Sequence, residues 1–433
     1  MAVGQAGAVH RGNVVPPGGV TPNVVGGVAA GGMLMPDTIQ LQELSDLFME
    51  NSEQNFIDMS PVILRSGETA NFNLQTVGLG EALELVVEGT ISVRNAHATI
   101  AETVTLPPDF PYSILRNVSV IFNGQATIVQ ASGYDLLTMM VKRHPRSRWA
   151  RSSGTPAGLD ARIASISVTG GTLVAAPAGN PGLLGFSGIS IPAATTAVIT
   201  VRFYLELPFV LRKDLLLGLL PMANTSVHAN VELQVPVLTG TTQDSPIVLT
   251  ANTSLFAHDL RVRPIYKFWG LPRRRELYQQ FVNTSYVVTR FANQTISAIG
   301  PNVVAFELPI NFWLISALLT LRDSARVLAP VWDRVDFPHL VYNGTIVVDR
   351  IPLRTKVSRD FIHYGLELPV GHLIYDYTHT GNLDSNSANM SRWLNMYQAS
   401  NPMLYADILA GFTTPGTYDV TLERLAPNHV QVI

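Results

Sequence analysis

Two short stretches, "VIFNGQATIV" at 120–129 and "LVYNGTIVV" at 340–348, place apolar residues on both sides of an Asn-Gly pair. Asn123-Gly124 and Asn343-Gly344 can supply the two positive-φ positions of a type I′ turn, the tight connection that matches the twist of paired strands. Each stretch is therefore predicted to be a β-hairpin. The chain carries the same hairpin twice.

The segments downstream of each hairpin also repeat in order. A "LELP" stretch, then an alternating strand and then a final strand follow each hairpin, which indicates a tandem duplication. The interval between hairpin and "LELP" is longer in the first half, so we place an insertion in the Gly/Ala/Ser/Pro-rich stretch from Ser152 to Ala194. The repeated segments are 205–208, 225–235 and 259–268 in the first half, and 366–369, 403–412 and 418–425 in the second.

After about residue 60 the chain consists of short Val-, Ile-, Thr- and aromatic-rich segments broken by Pro, Gly and Asn, which predicts an all-β sandwich or barrel. Its 433 residues are enough for two such domains. Helices are predicted at 37–56, 132–145 and 386–402. The predicted domains are an N-terminal arm with an amphipathic helix (1–58), a first β-domain (59–270) and a second β-domain (271–433).

Composition limits the function. Hydrophobic residues make up 47% of the chain but charged residues only 14%, against about 25% charged in a typical soluble protein. A large protein–protein interface would account for the missing charge. The net charge of −3 disfavours direct nucleic-acid binding, and zero cysteines exclude disulfides and thiolate metal sites. The start of the sequence shows no signal-peptide pattern, so we expect an intracellular origin.

Two tandem β-domains, an N-terminal arm, long loops and low surface charge resemble the double jelly-roll major capsid proteins of the tectivirus and adenovirus lineage. The resemblance covers about 60–433 and is strongest in "YSILRNVSVIFNGQATIVQASGYDLL" (112–137), "RFYLELPFVLRKDLLLGLLPM" (202–222) and "DLRVRPIYKFWGLP" (259–272). In that family the first passage resembles a hairpin leading to a short helix. The second resembles a strand entering a loop, and the third the strand that closes the first jelly roll.

This resemblance implies two tandem eight-stranded jelly rolls standing side by side, so that a homotrimer presents six of them at a hexagonal position of an icosahedral viral shell. It implies a structural, non-enzymatic protein of the virion, such as that of a bacteriophage, assembled in the host cytoplasm without a cofactor. The implied partners are neighbouring capsomers, penton or minor capsid proteins and an internal membrane vesicle, without sequence-specific nucleic-acid binding.

Candidate contact residues come from two sources. The run "KRHPRSRWAR" gathers basic side chains around one tryptophan, a composition suited to phosphates, lipid headgroups or an acidic protein surface. Three aromatic residues in loop-like contexts suit subunit contacts, where aromatics concentrate binding energy. The candidates are Lys142, Arg143, Arg146, Arg148, Trp149 and Arg151 from the run, and Trp332, Trp393 and Tyr397 from the loops.

Other functions find weaker support. The chain lacks GxSxG, HExxH, Walker A and GxGxxG motifs, so no catalytic residues are assigned. His363, His372 and His379 with Asp376 could hold a divalent ion, but their spacing is not that of a ligand set, and we interpret them as loop or interface residues. The alternative is a two-module β-sandwich protein that binds or cleaves carbohydrate.

Overall fold

The structure is a computed structural model. It describes the following residues: 38–143, 162–176, 183–211, 216–224, 226–241, 245–272, 281–282, 284–296, 302–322, 335–343, 346–348, 352, 354–356, 358, 371–377, 394–397, 399–408 and 416–427.

The described residues include two α-helices with defined ends, a short 3₁₀ turn (Tyr112–Ile114) and 25 strands, and further helical residues at 281–282, 354–356 and 358. The helices are α1 (Thr38–Asn51) and α2 (Gly133–Arg143). The strands are β1 (Gln54–Asp58), β2 (Val62–Leu64), β3 (Thr69–Asn73), β4 (Leu79–Asn95), β5 (Glu102–Thr105), β6 (Asn117–Phe122), β7 (Ala126–Ala131), β8 (Ala164–Thr169), β9 (Thr172–Ala175), β10 (Phe186–Ile191), β11 (Thr196–Pro208), β12 (Leu220–Pro221), β13 (Ala229–Gln234), β14 (Thr239–Gly240), β15 (Ile247–Val248), β16 (Thr253–Trp269), β17 (Thr284–Ile296), β18 (Asn302–Glu307), β19 (Trp313–Arg322), β20 (Val335–Tyr342), β21 (Ile346–Val348), β22 (His372–Asp376), β23 (Leu394–Asn395), β24 (Met403–Ile408) and β25 (Gly416–Pro427).

The first barrel packs two sheets face to face. Its sheet I has the strand order β1-β16-β4-β11, extended at one edge by β8, and its sheet II has the order β3-β13-β6-β7. Alternation along each strand fixes which face is inside. In β11, for example, Val201 and Phe203 are buried, while Thr200 and Arg202, which alternate with them, are exposed.

The second barrel repeats this arrangement. Its sheet I has the order β17-β25-β19-β22 and its sheet II the order β18-β24-β20-β21. Taken in chain order, each strand of the second barrel occupies the position of its counterpart in the first. The duplication that the sequence indicates is therefore present in the strand order, and two jelly rolls follow each other in the chain.

The two Asn-Gly hairpins occupy equivalent places and are anchored in the same way. Asn123 has φ of 51° and Asn343 has φ of 53°. Each asparagine donates its backbone N–H to the carbonyl of one residue and accepts that residue's N–H on Oδ1: the partner is His228 for Asn123 and Ser400 for Asn343. Each hairpin tip is thus tied to the chain that leads into β13 or β24.

One strand of the first barrel is hydrogen-bonded to one strand of the second. β7 at the edge of sheet II of the first barrel pairs in parallel with β17 at the edge of sheet I of the second, at Val129↔Val288 and Gln130↔Thr289. The result is one nine-stranded sheet that crosses from one barrel to the other. This geometry differs from that of two modules on a flexible linker.

A separate five-stranded sheet, with the order β14-β15-β5-β10-β9, is built from three connections of the first barrel. These connections join β4 to β6, β7 to β11 and β13 to β16. The predicted insertion at Ser152–Ala194 contains β8, β9 and β10, so it is folded β-structure where the structure describes it.

The hydrophobic core also spans the boundary between the barrels. One cluster fills the first barrel and includes Ile315, Leu318 and Ile374 from the second, while another fills the interior of the second barrel. In α1, Phe48 is fully buried and packs edge-on against Trp269 and Phe281. The helix therefore closes the first barrel beside the segment that leads to the second.

Two sequence predictions need correction. The first predicted helix ends at Asn51 rather than at residue 56, because β1 (Gln54–Asp58) pairs with β16 and already belongs to the first barrel. The helix predicted over 386–402 is wrong where the chain is described: Leu394–Asn395 pairs with Trp313–Leu314 as strand β23. Pairing along an available sheet edge outweighs the weak local helix propensity there.

Candidate functional site: the polar interface between the two barrels

The helix α2 lies between the two barrels and begins at a side-chain cap. Ser132 Oγ accepts the N–H of Asp135 at 3.0 Å, which satisfies one of the free donors at a helix start. Asp135 in the first turn and Lys142 and Arg143 in the last turn complement the helix dipole. Every residue from Gly133 to Lys142 is buried, so its polar side chains need partners in the surrounding strands.

Asp135 meets the first group of these partners. Its Oδ1 lies 3.1 Å from His372 Nε2 and accepts the Thr320 hydroxyl at 2.8 Å. His372 Nδ1 lies 2.7 Å from Thr138 Oγ1, one turn further along α2, and the imidazole packs on the Tyr134 ring with centroids 4.3 Å apart. His372 and Asp135 side chains are 0% and 1% exposed, so this contact between barrels is fully desolvated.

The charge of Asp135 survives this burial. Removal from water works to raise the pKa of its carboxyl, but the hydrogen bond and charge of His372, followed by Arg290 and Thr320, hold that pKa well below its usual range. The carboxylate is therefore ionised at neutral pH. Residues of the second barrel therefore stabilise the buried negative charge of Asp135 on α2, a helix of the first barrel.

Lys142 forms the second group at the other end of α2. Its Nζ contacts Glu423 Oε2 and lies 3.6 Å from Asp376 Oδ1. Glu423 also accepts hydrogen bonds from the hydroxyls of Tyr286 and Ser316. All of these acidic and hydroxyl partners belong to sheet I of the second barrel.

Burial and pairing oppose each other in this group as well. Desolvation works to lower the pKa of Lys142, but Asp376 and Glu423 raise it above its ordinary value. Desolvation works to raise the pKa of Glu423, but Lys142 lowers it. The pair is therefore ionised, and removing Lys142 would leave the buried Glu423 carboxylate without its closest counter-charge.

Further contacts connect the barrels around this helix. Arg322 at the end of β19 donates to Asp109 Oδ2 of the first barrel at 3.1 Å. Gly218, with φ of +97°, donates its N–H to the carbonyl of Phe281 at 3.0 Å. A Cβ on Gly218 would stand 2.7 Å from Tyr286 Cβ, so the backbones approach as closely there as glycine allows.

This arrangement is suited to holding two bodies together, because its charged and hydroxyl groups are buried against one another. Within the described ranges, no group of three His, Cys, Asp or Glu side chains is placed to hold a metal ion. None of the helices in those ranges has the length and apolar character needed to cross a membrane.

The structure separates the residues of the predicted basic run. Lys142 is buried in the interface described above, where a partner molecule cannot reach its charge. Arg143 donates to the Val210 carbonyl at 2.6 Å, and its guanidinium lies 5.3 Å from the centroid of the Tyr286 ring. The other candidates on the run lie outside the described residues: Arg146, Arg148, Trp149 and Arg151.

The remaining candidates are only partly described. Tyr397 is half-buried beside β23, while Trp332 and Trp393 lie outside the described residues. Of the histidine group, His372 and Asp376 lie in the inter-barrel interface, and His363 and His379 lie outside the described residues. A role for these aromatic residues in subunit contacts stays a prediction.

Sequence reasoning missed Asp135 and Glu423. A signal was present for Asp135, because it follows the capping residue Ser132 in a helix with little other charge. A weaker signal was present for Glu423 in β25, where Asp419, Thr421 and Glu423 alternate with apolar residues. Such alternation predicts that the apolar side chains lie on one face of the sheet and the polar side chains on the other.

Comparisons with known proteins agree with this architecture. No protein-family model and no curated protein sequence matches the chain. Among solved structures it is similar to the major capsid protein (MCP) of STIV, at 11% identity and a TM-score of 0.56, covering 88% of this chain and 100% of that one. The atomic structure of Sulfolobus Turreted Icosahedral Virus matches at 11% identity and a TM-score of 0.55, covering 87% and 91% of the two chains. PBCV-1 VP54 matches at 10% identity and a TM-score of 0.51, covering 87% and 94%.

These likenesses extend over nearly the whole of both chains and include both barrels. The protein therefore has a double jelly-roll fold, the fold of these viral major capsid proteins. The fold prediction from sequence is confirmed.

Proposed function

We propose that this protein is a major capsid protein, a structural subunit whose trimers tile an icosahedral viral shell. One observation carries the proposal. Two barrels with the same strand order are fixed side by side by a shared sheet and by the buried Lys142–Glu423 and Asp135–His372 contacts. Such a unit supplies two equivalent bodies, so three copies supply six around one axis.

The shared fold and the sequence composition support this proposal. The charged fraction of 14% suits a chain that covers its sides with other copies. The solved structures to which this chain is similar include the major capsid protein of STIV, and a structural role needs no catalytic residues. Neighbouring capsomers, penton or minor capsid proteins, an internal membrane, assembly in the host cytoplasm and a location in the virion belong to the same proposal.

The fixed geometry disfavours the carbohydrate-binding alternative. Independent modules are joined by linkers with few contacts between them, whereas these barrels have strands paired with each other and a common core cluster.

The test is the mass of the purified protein in solution. Sedimentation equilibrium should give three times the 47.1 kDa of the chain, and negative-stain electron microscopy should show particles with near-sixfold outlines. A protein that stays monomeric over the whole accessible concentration range contradicts the proposal. Purified particles that contain this chain only as a minor component would indicate a different shell protein.

A further inference from the structure

Three ionisable side chains meet at the C-terminal end of α2. Lys142 belongs to the first barrel, and Asp376 and Glu423 belong to two strands of the second. Their side chains are only 6%, 8% and 3% exposed. One carboxylate is enough to balance the charge of one lysine, so this buried cluster holds one acid more than Lys142 requires.

The strand register places the two acids on either side of one serine. Ser316 of β19 stands opposite Asp376 of β22 on one side and opposite Glu423 of β25 on the other. Residues that stand opposite each other in a sheet share a face, so the three side chains form a row across sheet I of the second barrel. Lys142 lies against this row.

The two acids contact the lysine amine in different ways. Nζ of Lys142 lies 3.6 Å from Oδ1 of Asp376, close to the separation of about 3–3.5 Å at which groups held in place react. Glu423 contacts the same amine more closely and is itself held by hydrogen bonds from the hydroxyls of Tyr286 and Ser316. One acid is thus placed beside the amine, and the other is fixed at the amine's proton.

An amine and a carboxyl group condense to an amide only when the amine is uncharged, because the protonated nitrogen has no free electron pair. The ion pair of Lys142 and Asp376 becomes a neutral pair by the transfer of one proton. Burial favours the neutral forms of both groups, and Glu423 is in contact with the nitrogen that must lose the proton. A carboxylate in that position can act as a general base and then as a general acid.

We propose that Lys142 and Asp376 form an intramolecular isopeptide bond after the chain has folded, with Glu423 as the catalytic base and acid. Nζ of Lys142 attacks Cγ of Asp376, so that a nitrogen–carbon bond forms and one carbon–oxygen bond breaks. Glu423 takes a proton from the nitrogen and passes it to the leaving oxygen, which departs as water. An ammonium and a carboxylate are consumed, an amide and one water molecule are produced, and Glu423 is regenerated.

The bond ties α2 of the first barrel covalently to β22 of the second. The ion pairs described above hold the interface in the newly folded chain, until the bond forms. The reaction takes place within one chain and does not depend on the proposed function.

A second lysine pair in the same chain serves as an internal comparison. Nζ of Lys267 lies 2.7 Å from Oε1 of Glu81, whose side chain is 1% exposed. The other oxygen of Glu81 accepts hydrogen bonds from the Gln54 amide and the Trp269 indole. In the part of the chain that the structure describes, no second carboxylate is paired with Lys267, so we expect this lysine to remain free.

The first test is the mass of the purified full-length chain after denaturation. It should be one water molecule below the mass of the sequence. Trypsin should fail to cut after Lys142 and should release the peptide 117–143 joined to the peptide 360–392, which contains Asp376, whereas Glu423 lies on the separate peptide 393–424. Fragmentation of the joined peptides identifies the two linked side chains, and cleavage after Lys267 should be normal.

The second test uses variants of the two acids. Glu423→Gln leaves Lys142 and Asp376 paired but removes the base, so the chain should keep the full mass of its sequence. Asp376→Ala removes the carboxyl that is attacked and should have the same effect. The matched control Glu81→Gln changes the acid beside the other lysine and should lose one water molecule like the wild type. Circular dichroism checks that each variant folds.

Each outcome decides the inference. Loss of water in the wild type and in Glu81→Gln, but in neither Glu423→Gln nor Asp376→Ala, supports it. A folded wild-type chain that keeps the full mass of its sequence after prolonged incubation at neutral pH overturns it. A bond to Glu423 in place of Asp376, or a Glu423→Gln variant that reacts as completely as the wild type, overturns the roles assigned to the two acids. All of these masses are measured on single denatured chains, so they are separate from the sedimentation test of the capsid role.

Discussion

At the scale of single residues, the unusual feature is a lysine that is buried and charged. A lysine inside a protein is stable only with partners, and Lys142 has two carboxylates from strands more than 230 residues further along the chain. The sequence places it in a basic run next to four other cations, which predicts a surface patch. Its true partners could not be identified, because local sequence does not show which distant strand faces a helix.

Replacing Lys142 should be costly. Lys142→Met leaves the Glu423 carboxylate buried without its closest counter-charge, and losing one partner of a buried pair costs about 3–5 kcal/mol. We expect a matching drop in the free energy of unfolding, measured by denaturant titration at constant protein concentration. The control is Arg65→Met, which removes an exposed ion pair with Glu68 at 3.9 Å and should cost less than about 1 kcal/mol.

A second substitution makes this test specific. Lys142→Met combined with Glu423→Leu removes both charges of the closest pair and should recover part of the lost stability. Equal effects for Lys142→Met and Arg65→Met would contradict the role of the buried pair.

At the scale of elements, the sequence predicts several of the long strands and both hairpins. β11 runs from Thr196 to Pro208 and contains the LELP stretch at 205–208 that marks the repeat, and apolar and polar residues alternate along most of its length. The five-stranded sheet of the first barrel could not be predicted. Its strands β14 and β15 have two residues each, too few to show a period.

The hairpin tips provide a test of the duplication. Asn123→Ala and Asn343→Ala each force a Cβ residue without side-chain hydrogen bonds into the left-handed region, at a cost of about 1–2 kcal/mol. Each also removes the acceptor for the N–H of His228 or Ser400. We expect both variants to lose stability to a similar extent, measured by thermal unfolding.

Glycine at the same sites separates the two causes. Asn123→Gly keeps the backbone conformation and loses only the hydrogen bond, so it should cost less than Asn123→Ala. If alanine and glycine variants were equally stable, strain at the turn would not be the reason for asparagine there.

At the scale of the whole molecule, the contact between barrels depends on ionised groups. The pKa values of Asp135 and Glu423 are both lowered in the folded protein from ordinary values of 3.8 and 4.5. As the pH falls through these values, the unfolded chain takes up protons that the folded protein does not bind. The stabilisation is therefore fully present above about pH 5 and declines progressively in more acidic solution.

Acid should thus destabilise the molecule at its centre. The thermal midpoint of the wild type should fall between about pH 5 and pH 3, and Asp135→Asn with Glu423→Gln should show a lower midpoint at neutral pH and a shallower fall. Glu50→Gln with Glu53→Gln, at exposed carboxylates, is the control and should follow the wild type. If the thermal midpoints of all three proteins fell in parallel with pH, the interface carboxylates would not be the cause of the lost stability in acid.

The shared sheet has a mechanical consequence. β7 and β17 are hydrogen-bonded across the middle of the molecule, so the two halves cannot bend about their midline without breaking backbone pairing. Any curved surface assembled from this chain must accordingly obtain its curvature from pivoting where separate copies meet, with each copy behaving as a stiff plate.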